Sequence, residues 1–370
     1  MTRVSSLWEH VARLSYKGKA YYMADYEKVC DYMNLYNAHV SLRKGKRNKP
    51  ECVKFELDLM RNLSDMHEQL VNKSYKMQGY YHFQVHEPKT RDVFAAYYPD
   101  RVLLNCICDQ VVKPILMPRL IYDNAACQLN KGTHFAQKRL TKFLAEHYKY
   151  HGTSGYVLKC DIAQYFASID HTILKSKIEK LITDEEVRNL LYQFIDNHHT
   201  EGKPGVGIPL GNQSSQWFAL YYLDEVDRFI KEKLQVRHYI RYMDDLLLIH
   251  TDLQFLKVAL EQIRSLIEGE LKLSLNSKTQ IFPLRNGVEF LGWRFHLSPT
   301  GKIIKTLKKQ TKYRFKRRLS EMQKEYANGK IEYEDVRCVL ASYNGHLKHG
   351  HAYKFQTKNL QEFSLRKSSS

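Results

Sequence analysis

The sequence predicts an α+β fold in which a small antiparallel sheet, with acidic residues at its strand ends, is combined with helices. Three observations support this class. Apolar residues recur at helical spacing in several long segments, short apolar runs end in aspartate, and residues 301–370 are basic and rich in helix formers. A content of 43% hydrophobic and 12% aromatic residues in a chain of 370 indicates two or three folded subdomains.

The elements follow from the pattern in chain order. Residues 24–85 are predicted to form helical pieces interrupted by a basic loop, SLRKGKRNKP, which either is solvated or contacts phosphates. Residues 101–119 predict a helix with an apolar stripe, and GYVLKCD at 155–161 predicts a strand that ends at an acid. Helical spacing from Ser214 predicts a further helix. A strand pair around RYMDDLLLIH, a charged helix near 253–270 and strands in LKLSLNSKTQIF and VEFLGWRF come next.

Charge and cysteine content narrow the class of protein. The net charge of +18 indicates a polyanionic partner, and nucleic acid is more common than membrane for basic proteins; a merely basic enzyme is the alternative. Residues 301–370 hold 17 Lys or Arg and 6 Asp or Glu, which predicts a separate basic helical subdomain. Seven cysteines without a CxxC pair predict neither a zinc finger nor a disulfide framework. With no apolar run near the roughly 18 residues of a membrane span, we expect a cytoplasmic protein with no membrane partner.

Asp244 and Asp245 stand side by side in an apolar strand pair, and Asp161 ends another strand. Unpaired carboxylates brought together there would cost up to several kcal/mol each at low dielectric, whereas divalent cations make such a cluster favourable. Two Mg²⁺ ions about 3.5–4 Å apart can activate an attacking hydroxyl and stabilise a pyrophosphate leaving group. The alternative is a polar hairpin turn, which aspartates form readily.

YMDD within apolar strands, preceded by LKCDIAQYFASIDH and followed by FLGW, resembles the palm of reverse transcriptases over roughly residues 40–350. The resemblance implies a right-hand polymerase. An N-terminal extension and fingers would occupy 1–150, and an antiparallel-sheet palm 151–300, with part of the fingers inserted between about 172 and 206. A basic helical thumb and a polar end would occupy 301–370. It also implies an RNA-directed DNA polymerase, a nucleotidyltransferase that uses two Mg²⁺ ions or Mn²⁺ in their place. Its partners would be template RNA, the cDNA or primer strand, and dNTPs.

The same resemblance assigns roles to residues. Asp161, Asp244 and Asp245 are the expected catalytic residues and metal ligands, with the carbonyl of Ile162 as a further ligand. The expected nucleotide-binding residues are Arg91, Lys89, Phe166, Leu210, Gly211 and Lys278. The expected primer grip is formed by Phe290, Leu291, Gly292 and Trp293. Phe166 would reject a ribose 2′-hydroxyl by its bulk. Ordinary alternatives are solvated loop charges for Arg91 and Lys89, a surface strand lysine for Lys278 and plain core for Phe166 and Trp293.

KGTHFA at 131–136 and LGNQSSQ at 210–216 together resemble the reverse transcriptases of diversity-generating retroelements. These enzymes copy a template RNA with errors at adenines, and retrohoming carries the cDNA into a target gene. Many reverse transcriptases have Gln where this chain has Leu210, and leucine has no side-chain hydrogen bond to offer. The subgroup implies a small basic accessory protein and a bacterial or phage-encoded gene. An anti-phage defence or group II intron-type reverse transcriptase, and a catalytically inactive RNA-binding scaffold, are the alternatives.

Overall fold

A computed structural model describes residues 24–86 and 90–367 of the chain. The helices are α1 (Asp25–Cys30), α2 (Tyr32–Leu42), α3 (Pro50–Leu57), α4 (Leu59–Val71), α5 (Tyr98–Ile107), α6 (Lys113–Leu116), α7 (Thr133–His151), α8 (His171–Leu181), α9 (Glu185–Asp196), α10 (Gln213–Tyr222), α11 (Asp224–Arg228), α12 (Leu253–Ser265), α13 (Lys309–Ala327), α14 (Tyr333–Leu347) and α15 (Tyr353–Gln361). The strands are β1 (Tyr80–Val85), β2 (Arg91–Ala96), β3 (Tyr156–Asp161), β4 (His238–Tyr242), β5 (Asp245–His250), β6 (Gln280–Pro283), β7 (Val288–Phe290), β8 (Trp293–Leu297) and β9 (Ile303–Leu307). The mixture of helices with antiparallel sheets confirms the predicted α+β class.

The chain divides into two compact units. The first unit contains the described residues up to Arg119 together with His171–Phe218. In it, β1 and β2 form an antiparallel hairpin in which Tyr80 lies opposite Ala96. Helical residues with no exposed surface form its core, among them Leu35, Leu63, Leu70 and Leu103.

One buried acid of the first unit is hydrogen-bonded at both of its side-chain oxygens. Asp100 has no exposed surface, and it accepts hydrogen bonds from the Tyr75 hydroxyl at 2.6 Å and the Gln78 amide at 2.9 Å. Burial raises the pKa of Asp100 to about 6, although these hydrogen bonds act in the opposite direction.

The second unit contains Leu120–Asp170 and the described residues from Ala219 onward. Its main sheet has four antiparallel strands in the order β4, β5, β3, β6. The two middle strands are nearly continuous apolar runs, since Leu246–Ile249 of β5 and Val157, Leu158 and Cys160 of β3 are buried. A second antiparallel sheet has the order β7, β8, β9.

The C-terminal helices share one hydrophobic core with the second sheet. Phe315, Leu319 and Met322 of α13 belong to the same buried cluster as Phe290 and Trp293 of the β7–β8 hairpin. Burying apolar side chains of this size contributes about 1.5–3 kcal/mol each. The predicted separation of a helical subdomain near residue 301 is therefore wrong in one respect, because residues 303–307 form a strand of this sheet.

Two further sequence predictions differ from the structure. Residues 80–85 form a strand rather than the end of a helical region, because they pair with β2. Within 271–282, strand structure starts only at Gln280, and the preceding stretch contributes a single bridge between Leu275 and Ile162. Within residues 24–86 and 90–367, no helix has the length and apolar character needed to cross a membrane.

Candidate active site

The YMDD segment folds as a tight hairpin between β4 and β5. Tyr242 lies opposite Asp245, so Met243 and Asp244 form the two-residue turn. Met243 has a φ of 55°, a left-handed conformation that costs a residue other than glycine about 1–3 kcal/mol. The surrounding structure must hold this turn in place.

Arg241 supplies that support. It has no exposed surface, and its Nη1 donates to the carbonyl of Met243 at 3.0 Å. Its Nε and Nη2 donate to the two carboxylate oxygens of Asp227 at 2.7 and 2.6 Å. A fourth hydrogen bond runs from Nη2 to the carbonyl of Leu220 at 2.9 Å. Sequence reasoning missed this residue, although an arginine inside an apolar strand next to YMDD is itself a signal of a buried ion pair.

The sheet brings Asp161 to the same hairpin. In the register of β3 against β5, Asp161 lies directly opposite Asp245. Adjacent strands are about 4.8 Å apart, so the three aspartates from two distant chain segments converge at one end of the sheet. Ile162, whose carbonyl is an expected metal ligand, is buried immediately after Asp161.

The electrostatics of this group show that the carboxylates are crowded. Burial raises the pKa of Asp245 to about 6; the Lys159 ammonium lowers it, and the charges of Asp161 and Asp244 raise it further. Lys159 Nζ lies 3.1 Å from Asp245 Oδ2. Lys159 is not among the residues predicted from the sequence, yet strand alternation puts it on the same face of β3 as Asp161.

The donor set suits a magnesium ion by its chemistry. Within the described part of the chain, no group of three or more His, Cys, Asp or Glu side chains is arranged to hold a metal ion. One observation nevertheless favours a cation here: Asp245 Oδ1 is buried and has no hydrogen-bond partner. A buried carboxylate oxygen without a donor is costly, and hard carboxylate oxygens are the ligands that Mg²⁺ prefers.

Two other predicted residues lie in the second unit. Phe166 belongs to the 3₁₀ turn Tyr165–Ser168 a few residues after Asp161, is half-buried, and packs edge-to-face on Tyr165 with ring centroids 5.6 Å apart. Lys278 is exposed, and its backbone amide donates to Asn276 Oδ1 at 3.1 Å.

The four residues of the predicted primer grip lie in the β7–β8 hairpin. Phe290 and Trp293 are fully buried, so their side chains are core residues. Leu291 and Gly292 form the turn with φ values of 45° and 87°, the positive values of a tight hairpin. The carbonyl of Leu291 accepts a hydrogen bond from Gln137 Nε2 at 3.2 Å, which fixes the turn against α7. Of the four predicted residues, the two turn residues are half-buried rather than fully buried.

The remaining nucleotide-binding candidates lie in the first unit, apart from Lys89, which lies outside the described residues. Arg91 is exposed at the start of β2. Gly211 packs against the same strand, because a β-carbon added there would lie 3.2 Å from Val93 Cγ1. Leu210 is half-buried next to it. The structure thus places Leu210 and Gly211 in the same unit as Arg91.

A family profile described as reverse transcriptase (RNA-dependent DNA polymerase) matches residues 100–295, which is more than half of the chain. The chain therefore belongs to the reverse transcriptase family, a family of nucleotidyl-transferring enzymes. The matched range contains the three aspartates and their strands.

Among curated proteins, Protein YkfC of Escherichia coli (strain K12) is 27% identical over 176 residues, which are 38% of this chain and 46% of YkfC. Among solved structures, apo telomerase from Candida tropicalis truncated from its C-terminal domain is 15% identical with a TM-score of 0.44, covering 64% of this chain and 58% of that one. Telomerase from Candida albicans in complex with a fragment of telomeric RNA is 12% identical with a TM-score of 0.46, covering 72% and 55%. The chain thus spans about half the length of these relatives.

Proposed function

We propose that this chain is an RNA-directed DNA polymerase that copies a template RNA into cDNA. The observation that carries the proposal is the register of β3 and β5, which sets Asp161 opposite Asp245 beside the turn that bears Asp244. Three carboxylates this close together are unfavourable without cations. A nucleotidyl transferase requires divalent cations at such a position.

Asp161, Asp244, Asp245 and the Ile162 carbonyl would hold two Mg²⁺ ions, or Mn²⁺ in their place. When bound, the ions supply charge stabilisation for the attacking hydroxyl and the pyrophosphate leaving group. Lys159 neutralises one carboxylate of the group through its ion pair with Asp245.

Other residues of the chain bind and orient the reactants in this proposal. By the resemblance to the family, Phe166 would limit the space beside the sugar of the incoming nucleotide. Arg91 and Lys278 would offer positive charge to its phosphates, and Lys278 would donate a proton to the leaving group. The Leu291–Gly292 turn meets the primer strand. The first unit would act as fingers and the β4–β5–β3–β6 sheet as the palm.

Primer extension on an RNA template with Mg²⁺ tests this proposal. Asp244→Asn and Asp161→Asn should abolish synthesis while leaving the melting temperature of the protein nearly unchanged, because each replaces a carboxylate by an amide of the same shape. Asp252→Asn is the matched control. Asp252 caps α12 through the amides of Gln254 and Phe255, and asparagine caps a helix equally well. Retained synthesis by a folded Asp244→Asn protein would contradict the assignment.

Within this activity, we propose error-prone copying at template adenines, as in a diversity-generating retroelement with a small basic accessory protein. The support is the KGTHFA and LGNQSSQ resemblance and the half-buried Leu210, whose side chain cannot hydrogen-bond a misplaced nucleotide. Leu210→Gln should lower the error frequency at template adenines, measured by sequencing cDNA, relative to Leu210→Met, which keeps an apolar side chain. An unchanged error spectrum would remove this residue from the explanation. A repeat pair near the gene that differs only at adenines would separate this subgroup from defence and intron-type enzymes.

A further inference from the structure

A group of basic side chains lies away from the three aspartates, where α7, β9 and the end of α14 meet in the second unit. We call it the histidine–lysine cluster, and its members are His134, Lys138, Lys305, His346 and His349. His134, Lys138 and His349 are exposed, whereas Lys305 and His346 are half-buried. The cluster is therefore open to solvent on one side and anchored in the core on the other.

Lys305 is the anchored member. Its Nζ donates to Gln137 Oε1 at 2.7 Å and to the backbone carbonyl of His349, and it lies 4.5 Å from the centroid of the Trp293 ring. All of these partners are neutral. A half-buried ammonium is usually paired with a carboxylate, and among the described residues none is placed to pair with this one.

The neighbouring groups add positive charge rather than cancel it. The rings of His134 and His349 have centroids 3.8 Å apart, so protonating both would place two cations in contact. Burial and then the charges of His134, Lys305 and Lys138 lower the pKa of His349. Burial and then Lys305, His134 and His349 lower the pKa of His346. Burial lowers the pKa of Lys305 to about 8. All three pKa shifts disfavour the protonated, positively charged form of the side chain. An anion bound among these groups would stabilise those charged forms.

We propose that the histidine–lysine cluster binds a phosphate group of a nucleic-acid backbone. A metal ion does not suit the site, since Lys305 would repel it. A phosphate accepts hydrogen bonds from an ammonium and from imidazolium groups together. The cluster is also connected to the Leu291–Gly292 turn, because Gln137 accepts from Lys305 and donates to the carbonyl of Leu291. The inference rests on the proposed function for the identity of the anion, and it adds a phosphate site outside the three-aspartate group.

Fluorescence anisotropy with a labelled RNA–DNA primer–template duplex, without dNTPs, tests the site. Lys305→Met keeps the apolar stem and removes the charge, and it should weaken duplex binding about tenfold at pH 7. The slope of log affinity against log salt concentration should become shallower by about 0.9 for a lost phosphate contact. Lys302→Met, an exposed lysine just before β9, and His296→Gln, an exposed histidine of β8, are the matched controls. Both should leave affinity within about twofold of wild type.

The pH dependence gives a second readout. Wild-type affinity should fall between pH 7 and pH 9 as Lys305 loses its proton, whereas Lys305→Arg, which stays charged, should keep its affinity. The double variant His134→Gln with His349→Gln should also weaken duplex binding, because it removes the two stacked imidazoles of the cluster. These histidines are exposed, so their replacement leaves the fold intact. Inorganic phosphate should compete with the duplex in wild type and not in Lys305→Met.

The outcomes separate this site from the proposed activity. If wild type binds the duplex with the expected dependence on Lys305 but extends no primer, the phosphate site stands and the polymerase proposal fails. If wild type extends primers while the cluster variants bind like the two controls, the site is overturned. Competition by inorganic phosphate without any effect of Lys305→Met on duplex binding would also overturn it, as would an absence of duplex binding by wild type.

Discussion

Replacing Arg241 by methionine is expected to destabilise the second unit by about 3–5 kcal/mol, the usual cost of leaving one partner of a buried ion pair alone. Arg241 and Asp227 both have no exposed surface. Asp227 Oδ1 also accepts a hydrogen bond from the Tyr239 hydroxyl at 2.5 Å. In Arg241→Met this carboxylate would keep only neutral partners, this hydroxyl and the Asn124 Nδ2 at 3.4 Å from Oδ2, in place of a bidentate guanidinium.

The size of the effect follows from the contacts. Methionine restores most of the buried apolar volume, so the loss is electrostatic rather than a cavity. Arg241 makes four hydrogen bonds, two of them charge-assisted contacts to Asp227 and two to backbone carbonyls. Charged hydrogen bonds contribute about 1.5–3 kcal/mol each, and the carbonyls of Leu220 and Met243 lose their donors. For a unit of this size, the melting temperature should fall by about 10 °C.

Urea unfolding followed by circular dichroism, in a double-mutant cycle, is the assay. The variants are Arg241→Met, Asp227→Asn and the pair together. Because each single change leaves an uncompensated group, the double variant should be less destabilised than the sum by at least about 2 kcal/mol. Additive free energies would refute the reasoning, since they would mean that the two side chains contribute independently. Primer extension should fall with Arg241→Met as well, because the turn bearing Asp244 loses its donor at Met243.

Burial raises the folded-state pKa of Asp100 to about 6, above its unfolded value, so the stability this group contributes is present below about pH 4 and is lost as pH rises through 6. Asp100→Asn should remove this fall of about 3 kcal/mol in urea unfolding between pH 4 and pH 7, and a wild-type pH profile in the variant would contradict the assignment. Gly350→Ala should destabilise by about 1–3 kcal/mol in thermal melting, because the new β-carbon would lie 2.1 Å from the Trp293 ring, whereas Gly345→Ala, which meets no atom within 4 Å, should not. Phe166→Ala should raise the incorporation of ribonucleotides relative to deoxyribonucleotides at least about tenfold in primer extension; an unchanged ratio would leave this phenylalanine a core residue.

The convergence of the three aspartates was predictable because it depends on local patterns. The apolar runs that end at Asp161 and flank the YMDD turn define three strands, and adjacent strands of an antiparallel sheet bring their ends together. Lys159 could have been predicted as a further site residue, because it lies two residues before Asp161 on the same face of the strand. Its ion pair with Asp245 of the neighbouring strand β5 depends in addition on the β3–β5 register, in which Asp161 lies opposite Asp245.

The pairing of Arg241 with Asp227 could not be predicted in the same way. Asp227 belongs to helix α11 and Arg241 to strand β4, and their contact depends on how a helix packs on a sheet. The strand β9 was not predicted for the same reason. Its five residues, IIKTL, include three β-branched side chains, but they lie inside a segment of seventy residues whose overall composition is basic and rich in helix formers. The pairing of β9 with β8 depends on contacts between separate strands, which composition cannot predict.

The single core that joins Phe290, Trp293 and Phe315 decides how this chain can be divided. Trp293 has no exposed surface in the intact protein. Truncating the chain just before residue 301 would remove β9 and α13 and expose the Trp293 side chain to water. The apolar surface uncovered on both fragments would favour aggregation over independent folding. The basic helices therefore depend on the hairpin before them, and a chimera whose junction falls between Trp293 and Phe315 would divide this core.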